Sequence, residues 1–162
     1  MEITQERVRE LFDYREDGAL VWKVKKARHI NIGDVAGHAT ERGYVEVRFD
    51  RRPCLAHRIV FLWHHGWLPV QVDHRDANKA NNRIDNLRPA TQPQNEWNKA
   101  APASNTSGFK GVHWHAPSQT WHARISVERT RRHLGAFASP EDAHAAYVEA
   151  ALKYHGEFAR VA

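Results

Sequence analysis

Thirty residues, 70–99, constrain this chain more than any other stretch. They read VQVDHRDANKANNRIDNLRPATQPQNEWNK. A short β-type run, Val70-Gln71-Val72, ends in Asp73 and His74. The loop over 75–82 is far too polar to bury. Ile84-Asp85-Asn86-Leu87-Arg88 reads as a returning strand, and Thr91 opens a helix that carries Asn95 and Asn98. The order is strand, loop, strand, helix. A carboxylate and an imidazole lie on the first strand and a carboxamide on the helix. That set suits one hard, oxygen-loving metal ion and one general base.

Hydrolysis of a phosphodiester asks for that combination. Water must lose a proton, charge at phosphorus must be stabilised, and the leaving oxygen must be accommodated. His74 titrates near neutrality and can take the proton. Mg²⁺, or Mn²⁺ in its place, needs only one or two protein oxygens. Asp73 offers one with charge and Asn95 a neutral one. Asn98, three positions on and on the same helical face, is the rival to Asn95. Asn81 and Asn82 read as turn formers.

The rest of the chain sets bounds. At 162 residues it is one medium domain or two small ones, and 41% hydrophobic content with six Trp and six Phe can fill a core. A net charge of +5 favours a polyanionic partner. One cysteine, Cys54, excludes a disulfide framework and a Cys-rich zinc site. No apolar run approaches the roughly 18 residues of a membrane span, and no signal-peptide pattern opens the chain. The expectation is a soluble, cytoplasmic protein with no membrane partner and no small-molecule cofactor.

In chain order, residues 4–13 read as a helix capped by Thr4, and 19–24 and 44–49 as strands. Lys23, Lys25, Lys26 and Arg28 form a basic run, either a solvated edge or a phosphate contact. From Leu55 to His65 the apolar spacing is helical, with Gly66 as the stop. His57 lies within it, either as a core residue or as support for the metal site. Residues 101–107 are small and polar and read as a linker. Beyond it, 109–115, 120–127 and 131–134 are expected strands. Ser139-Pro140-Glu141-Asp142 then opens a helix to about His155. In this last unit Lys110, Arg124, Arg129, Arg131 and Arg132 face one acid, Glu128, while from Glu141 to Glu157 the acids Glu141, Asp142, Glu149 and Glu157 stand against Lys153. The sheet is therefore basic and the helix acidic. Trp114 and Trp121 are expected in the core.

Several blocks carry a resemblance: Leu55-Ala56-His57-Arg58, Val72-Asp73-His74-Arg75-Asp76, the run from Asn81 to Arg88, and Gln94-Asn95-Glu96. Asn86 follows His74 by twelve positions and Asn95 by twenty-one. This pattern resembles the HNH nucleases of the ββα-metal fold, in particular the phage and intron homing-endonuclease branch, over roughly residues 40–99. The resemblance implies that His74 is the general base. It implies that Asp73 and Asn95 bind the metal, and that Asn86 holds the loop and orients the histidine. Many members carry a histidine where Asn95 stands.

A second set of motifs runs from Ser107-Gly108-Phe109-Lys110-Gly111-Val112-His113-Trp114, through Trp121-His122-Ala123-Arg124-Ile125 and His133-Leu134-Gly135-Ala136-Phe137, to Glu141-Asp142-Ala143-His144-Ala145-Ala146-Tyr147. These resemble an APETALA2-type DNA-binding domain, a family known from plant transcription factors that also occurs behind phage HNH nucleases. The resemblance implies that the exposed sheet face reads DNA through Lys110, His113, His115, Arg124, Arg131 and His133. Several of these positions are arginine or tryptophan in the plant proteins.

The expected fold is α+β: a ββα-metal HNH nuclease module over 1–100, with its core at 70–99, then a three-stranded antiparallel sheet plus one helix over 108–162. The expected function is a metal-dependent, homing-type DNA endonuclease that nicks or cuts duplex DNA in a bacterial or phage-infected cell, near the nucleoid. No self-pairing surface argues for a dimer, so a monomer is expected. The alternative is a non-catalytic, sequence-specific DNA-binding regulator with a decayed HNH unit.

Overall fold

Two compact units divide the chain between Ala90 and Thr91. The computed structural model describes residues 3–102, 104–128 and 130–161. Ala103 of the expected linker and Arg129 of the expected turn lie outside them. Among the described residues the architecture is mixed α+β, with four small sheets and four α-helices. None of these helices is long and apolar enough to cross a membrane.

The first unit begins with α1 (Gln5–Leu11), whose N-terminus is closed by the Thr4 hydroxyl accepting from Arg7 N. Strand β1 (Phe12–Tyr14) pairs antiparallel with β2 (Leu20–Trp22). A second sheet has the order β3 (His38–Ala39), β4 (Val45–Phe49), β5 (Arg52–Leu55). Asp50 and Arg51 turn the β4–β5 hairpin with φ of 43° and 69°. Two successive positive φ values match the right-handed twist of the flanking strands. Helix α2 (Ala56–His65) follows and ends at Gly66 in the left-handed region, φ 76°. Val8, Phe12, Leu20, Trp22, Val47, Phe49, Ile59, Val60 and Phe61 form one buried core.

On this core sits a hairpin of β6 (Gln71–His74) and β7 (Leu87–Ala90). The returning segment is not strand throughout. Ile84–Asn86 winds into a 3-10 turn before β7 starts. Asp85 is paired with Arg83 through its guanidinium, which favours a tight local bend.

The second unit opens with α3 (Gln92–Trp97). Thr91 and Gln94 close its start reciprocally as a capping box. Strands β8 (Val112–His115), β9 (Thr120–Val127) and β10 (Thr130–Phe137) form an antiparallel sheet in the order β10-β9-β8. Strand β10 continues past the expected end at Gly135, because the register slips between His133 and Gly135 and pairing resumes to Phe137. Helix α4 (Pro140–His155) starts at Ser139, whose hydroxyl accepts from Asp142 N. Its Ala143, Tyr147, Ala150 and Ala151 are buried, with Val112, Ala123, Ile125 and Val127 buried on the strands. Small residues at helical spacing let the helix lie close on the sheet. Strand β8 is shorter than expected. Gly111 turns the chain ahead of it at φ 77°, where a Cβ would meet the Tyr147 ring at 2.2 Å. The segment 101–107 belongs to this second unit.

Candidate active site and candidate nucleic-acid face

Strand β6 places Asp73 and His74 side by side, each 4% exposed. Successive strand residues point to opposite faces, so the two side chains have different surroundings. Asp73 lies directly across from Arg88 on β7. The guanidinium donates to its Oδ2 from Nε at 2.9 Å and from Nη2 at 2.8 Å. Both side chains are almost fully buried. Such a pair is held by good geometry, because either charge alone would be costly there.

His74 lies among Tyr44, His57 and Asn82. The His57 ring meets it edge-on, centroids 4.8 Å apart, and the Tyr44 ring lies 6.2 Å away. Its Nε2 is 3.1 Å from Asn82 Oδ1. A carbonyl oxygen can only accept, so the neutral ring carries its hydrogen on Nε2 and its lone pair on Nδ1. Burial pushes the His74 pKa down, against the raising effects of the Asn82 bond, Asp73 and Asp76. The ring is therefore neutral at pH 7 and able to accept a proton. His57, from α2, is pushed down to about 3, by burial first and by His74 next. Its Nδ1 is buried without a hydrogen-bond partner. The His57 ring is thus a buried residue packed directly against His74.

Asn86, expected to hold the loop and orient the histidine, bonds within the loop. Its side chain accepts from Asp76 N at 3.1 Å and donates to Asp76 Oδ1 and Asn81 O at 2.9 and 2.8 Å. Asp76 Oδ2 in turn accepts from the Asn81 amide at 2.7 Å. Together these bonds wind the polar loop into one shape. Burial raises the Asp76 pKa, but the Asn81 and Asn86 bonds outweigh it and hold the carboxyl low. The histidine ring itself is bonded by Asn82, which reads as a turn former from sequence and proves 4% exposed. Loop curvature, not spacing, brings Asn82 back to β6. The one sequence sign was a second asparagine beside a first.

The loop has a brace from outside. Tyr14 Oη accepts from Ile84 N at 3.0 Å. Gly18, at φ 93°, lies so close to the loop backbone that a Cβ would meet Arg83 N at 2.5 Å. Only glycine fits that position.

Asn95 lies half-buried on α3 in the second unit, and Asn98 is the buried C-cap of the same helix. Among the described residues no three His, Cys, Asp or Glu side chains converge as a metal cage. An ion held by one or two protein oxygens and water would need no such cage.

In the second unit, alternation along the strands puts His113 and His115 of β8, Arg124 of β9, and Arg131 and His133 of β10 on the face away from α4. His122, absent from the expected contacts, shares that face. Lys110 does not. It precedes β8, and its Nζ donates to Trp97 O and Lys99 O at the end of α3. Burial pushes its pKa down to about 8. Trp121 packs partly against the core cluster, but Trp114 is 45% exposed, because α4 does not cover its end of edge strand β8.

Comparison with known proteins gives this geometry a lineage. The model of the HNH endonuclease family matches residues 54–96, the span that holds His57, Asp73, His74, Asn82 and Asn86. Protein 3.8 of Escherichia phage T7 is 35% identical over 89 residues, covering 55% of this chain and 73% of that protein. No solved structure matches. HNH nucleases generally use a divalent metal. The chain belongs to the family of phage Protein 3.8 and carries an HNH endonuclease domain at residues 54–96.

Proposed function

We propose that the chain is a metal-dependent, homing-type endonuclease that hydrolyses a phosphodiester of duplex DNA. His74 carries the reading: it is a buried, neutral imidazole with Nε2 on the Asn82 amide oxygen and the lone pair on Nδ1. His74 Nδ1 takes the proton from the attacking water. Asn82 keeps the tautomer and aim of the ring, and His57 excludes water from one side of it. Asn86 holds the loop in shape. Asp73 would supply a charged oxygen for the ion, and the motif spacing would give a second oxygen to Asn95. When bound, a divalent ion, Mg²⁺ with Mn²⁺ as the alternative, supplies positive charge for the phosphate and the leaving oxygen. The second unit, read as an APETALA2-type domain, places the nuclease on DNA through the face carrying His113, His115, Arg124, Arg131 and His133. A single site in a monomer would nick one strand.

The Asp73–Arg88 pair favours a second reading, a DNA-binding regulator in which the carboxylate no longer serves a metal. One assay separates the two. Supercoiled plasmid is incubated with Mg²⁺ or Mn²⁺ and either the wild type or His74→Ala. Loss of nicking by about 10²–10⁴-fold, with DNA binding retained, supports the nuclease. Absence of nicking by the wild type with either metal would favour the regulator, and equal nicking by both proteins would remove His74 as the base.

A further inference from the structure

The outward face of the β8–β9–β10 sheet carries four histidines in a contiguous patch. His115 stacks on His122 with ring centroids 4.4 Å apart and planes at 23°. His122 also lies 4.9 Å from His133 and 5.6 Å from His113. The strand register produces the patch, since His113 stands directly opposite His122 and His133 opposite Arg124.

No acidic group among the described residues bonds or ion-pairs with any of the four. On β8 the neighbours of His122 are His113 and His115; on β9, Arg124; on β10, His133, with Ala136 directly opposite and Arg131 farther along the same face. The turn before β9 adds Ser118, whose Oγ lies 2.7 Å from His115 Nδ1 and 3.4 Å from His122 Nε2. Helix α4 covers the opposite face of the sheet. There its His155 Nε2 is 2.9 Å from Ser126 O, and its His144 stacks on Phe109. Its Glu141, Asp142, Glu149 and Lys153 are all exposed and lie behind the sheet. His113 Nε2 is buried with no partner. A proton gained by any of the four rings therefore faces only neutral or positive neighbours. A polyanion laid across the face would supply the missing charge.

We propose that this histidine patch takes up protons as it engages the phosphates of duplex DNA, so that the hold of the second unit on DNA tightens as pH falls below 7. The inference rests on the reading of this sheet as the DNA-contacting face. The pKa of His113 is pushed down by burial, then by Arg124, His115 and His133. That of His122 is pushed down by burial, then by His115, His133 and His113. His113 and His122 are thus held toward the neutral form, beside Arg124. Bound phosphate favours the protonated rings and draws their pKa values up, so binding and proton uptake reinforce each other.

The test uses the full chain in EDTA with a fluorescein-labelled duplex, titrated at pH 5.5, 6.5, 7.5 and 8 at fixed salt. Affinity should rise about tenfold or more from pH 7.5 to 5.5, because one proton taken up per complex is worth up to tenfold per pH unit. The salt dependence should steepen at low pH, by roughly 0.9 in the log–log slope for each added phosphate contact. The triple variant His113→Gln, His122→Gln, His133→Gln should lose most of the pH slope. Histidine proton resonances in the wild type give a readout that needs no variant, with pKa values expected to rise on DNA addition. Wild-type pH dependence in the triple variant, or histidine pKa values unmoved by DNA, would overturn the proposal. Arg124→Ala and Arg131→Ala at pH 8 separate its failure from that of the underlying reading. If both bind DNA as the wild type does, the sheet is not the interface and both ideas fall. If they bind more weakly while the triple variant keeps its pH slope, only the proton linkage falls.

Discussion

Histidine serves two opposite purposes in the two units. His74 is buried, bonded to the Asn82 amide oxygen, and flanked by a second buried ring that stays neutral. The histidines of the sheet lie at the surface and touch one another, and Ser118 lies within hydrogen-bond distance of two of them, His115 and His122. Burial with a defined partner fixes one tautomer and one direction, which is what a base needs. Crowding at the surface instead makes several rings answer to one shared potential. A polar group in the first unit is therefore tied to stability, while one on the sheet face is tied to what binds there.

Arg88→Ala tests that difference with the largest expected effect. It leaves the Asp73 carboxylate buried without its cation and should destabilise the first unit by about 3–5 kcal/mol. Urea unfolding measures it, and a loss below about 1 kcal/mol would mean that water or a metal already satisfies Asp73. Next is acid sensitivity. The folded-state pKa of His57 is about 3, well below the usual value near 6.5, so the unfolded chain binds a proton more readily. The stability this residue contributes is intact above about pH 6.5 and drains as pH falls toward 3, by about 1.4 kcal/mol per pH unit. Unfolding midpoints at pH 7, 6 and 5 should fall more steeply for the wild type than for His57→Phe. Parallel slopes would show that His57 does not carry the effect. The smallest change concerns Asn82→Ala, at about 1 kcal/mol of stability for the lost hydrogen bond. Since the Asn82 bond raises the His74 pKa, its removal should, under the proposed nuclease function, move the acid limb of the cleavage profile to lower pH. A limb that stays in place would detach Asn82 from the base.

What could be read in advance follows a physical divide. Local chemistry was legible: the Thr4, Thr91 and Ser139 caps, the Gly66 stop, and the length of β9 are set by residues within a turn of one another. Also legible was the alternation that places five of the six expected contacts on one sheet face. The side chain on Nε2 of His74 was not, because the path from Asn82 to the ring depends on how Asp76 and Asn86 curl the loop. Nor was the partner of Asp73, since Arg88 meets it only through the register of two strands. Lys110 was misplaced for a related reason. Gly111 turns the chain ahead of β8, and the amine goes to two carbonyls at the end of α3. Interactions closed by a turn show in sequence, and those closed by register or loop curvature do not.

The contact from Tyr14 to Ile84 spans seventy positions of the chain. A link of that separation closes a long stretch of backbone and forms late, after the local hairpins are in place. With Gly18 seated against the same loop, the frame around His74 is completed only once the N-terminal hairpin has docked. On the ribosome, residue 84 must emerge before that docking can begin. A nascent or half-folded copy of this chain therefore lacks the frame that aligns His74, and whatever chemistry that ring performs waits until the first unit is whole.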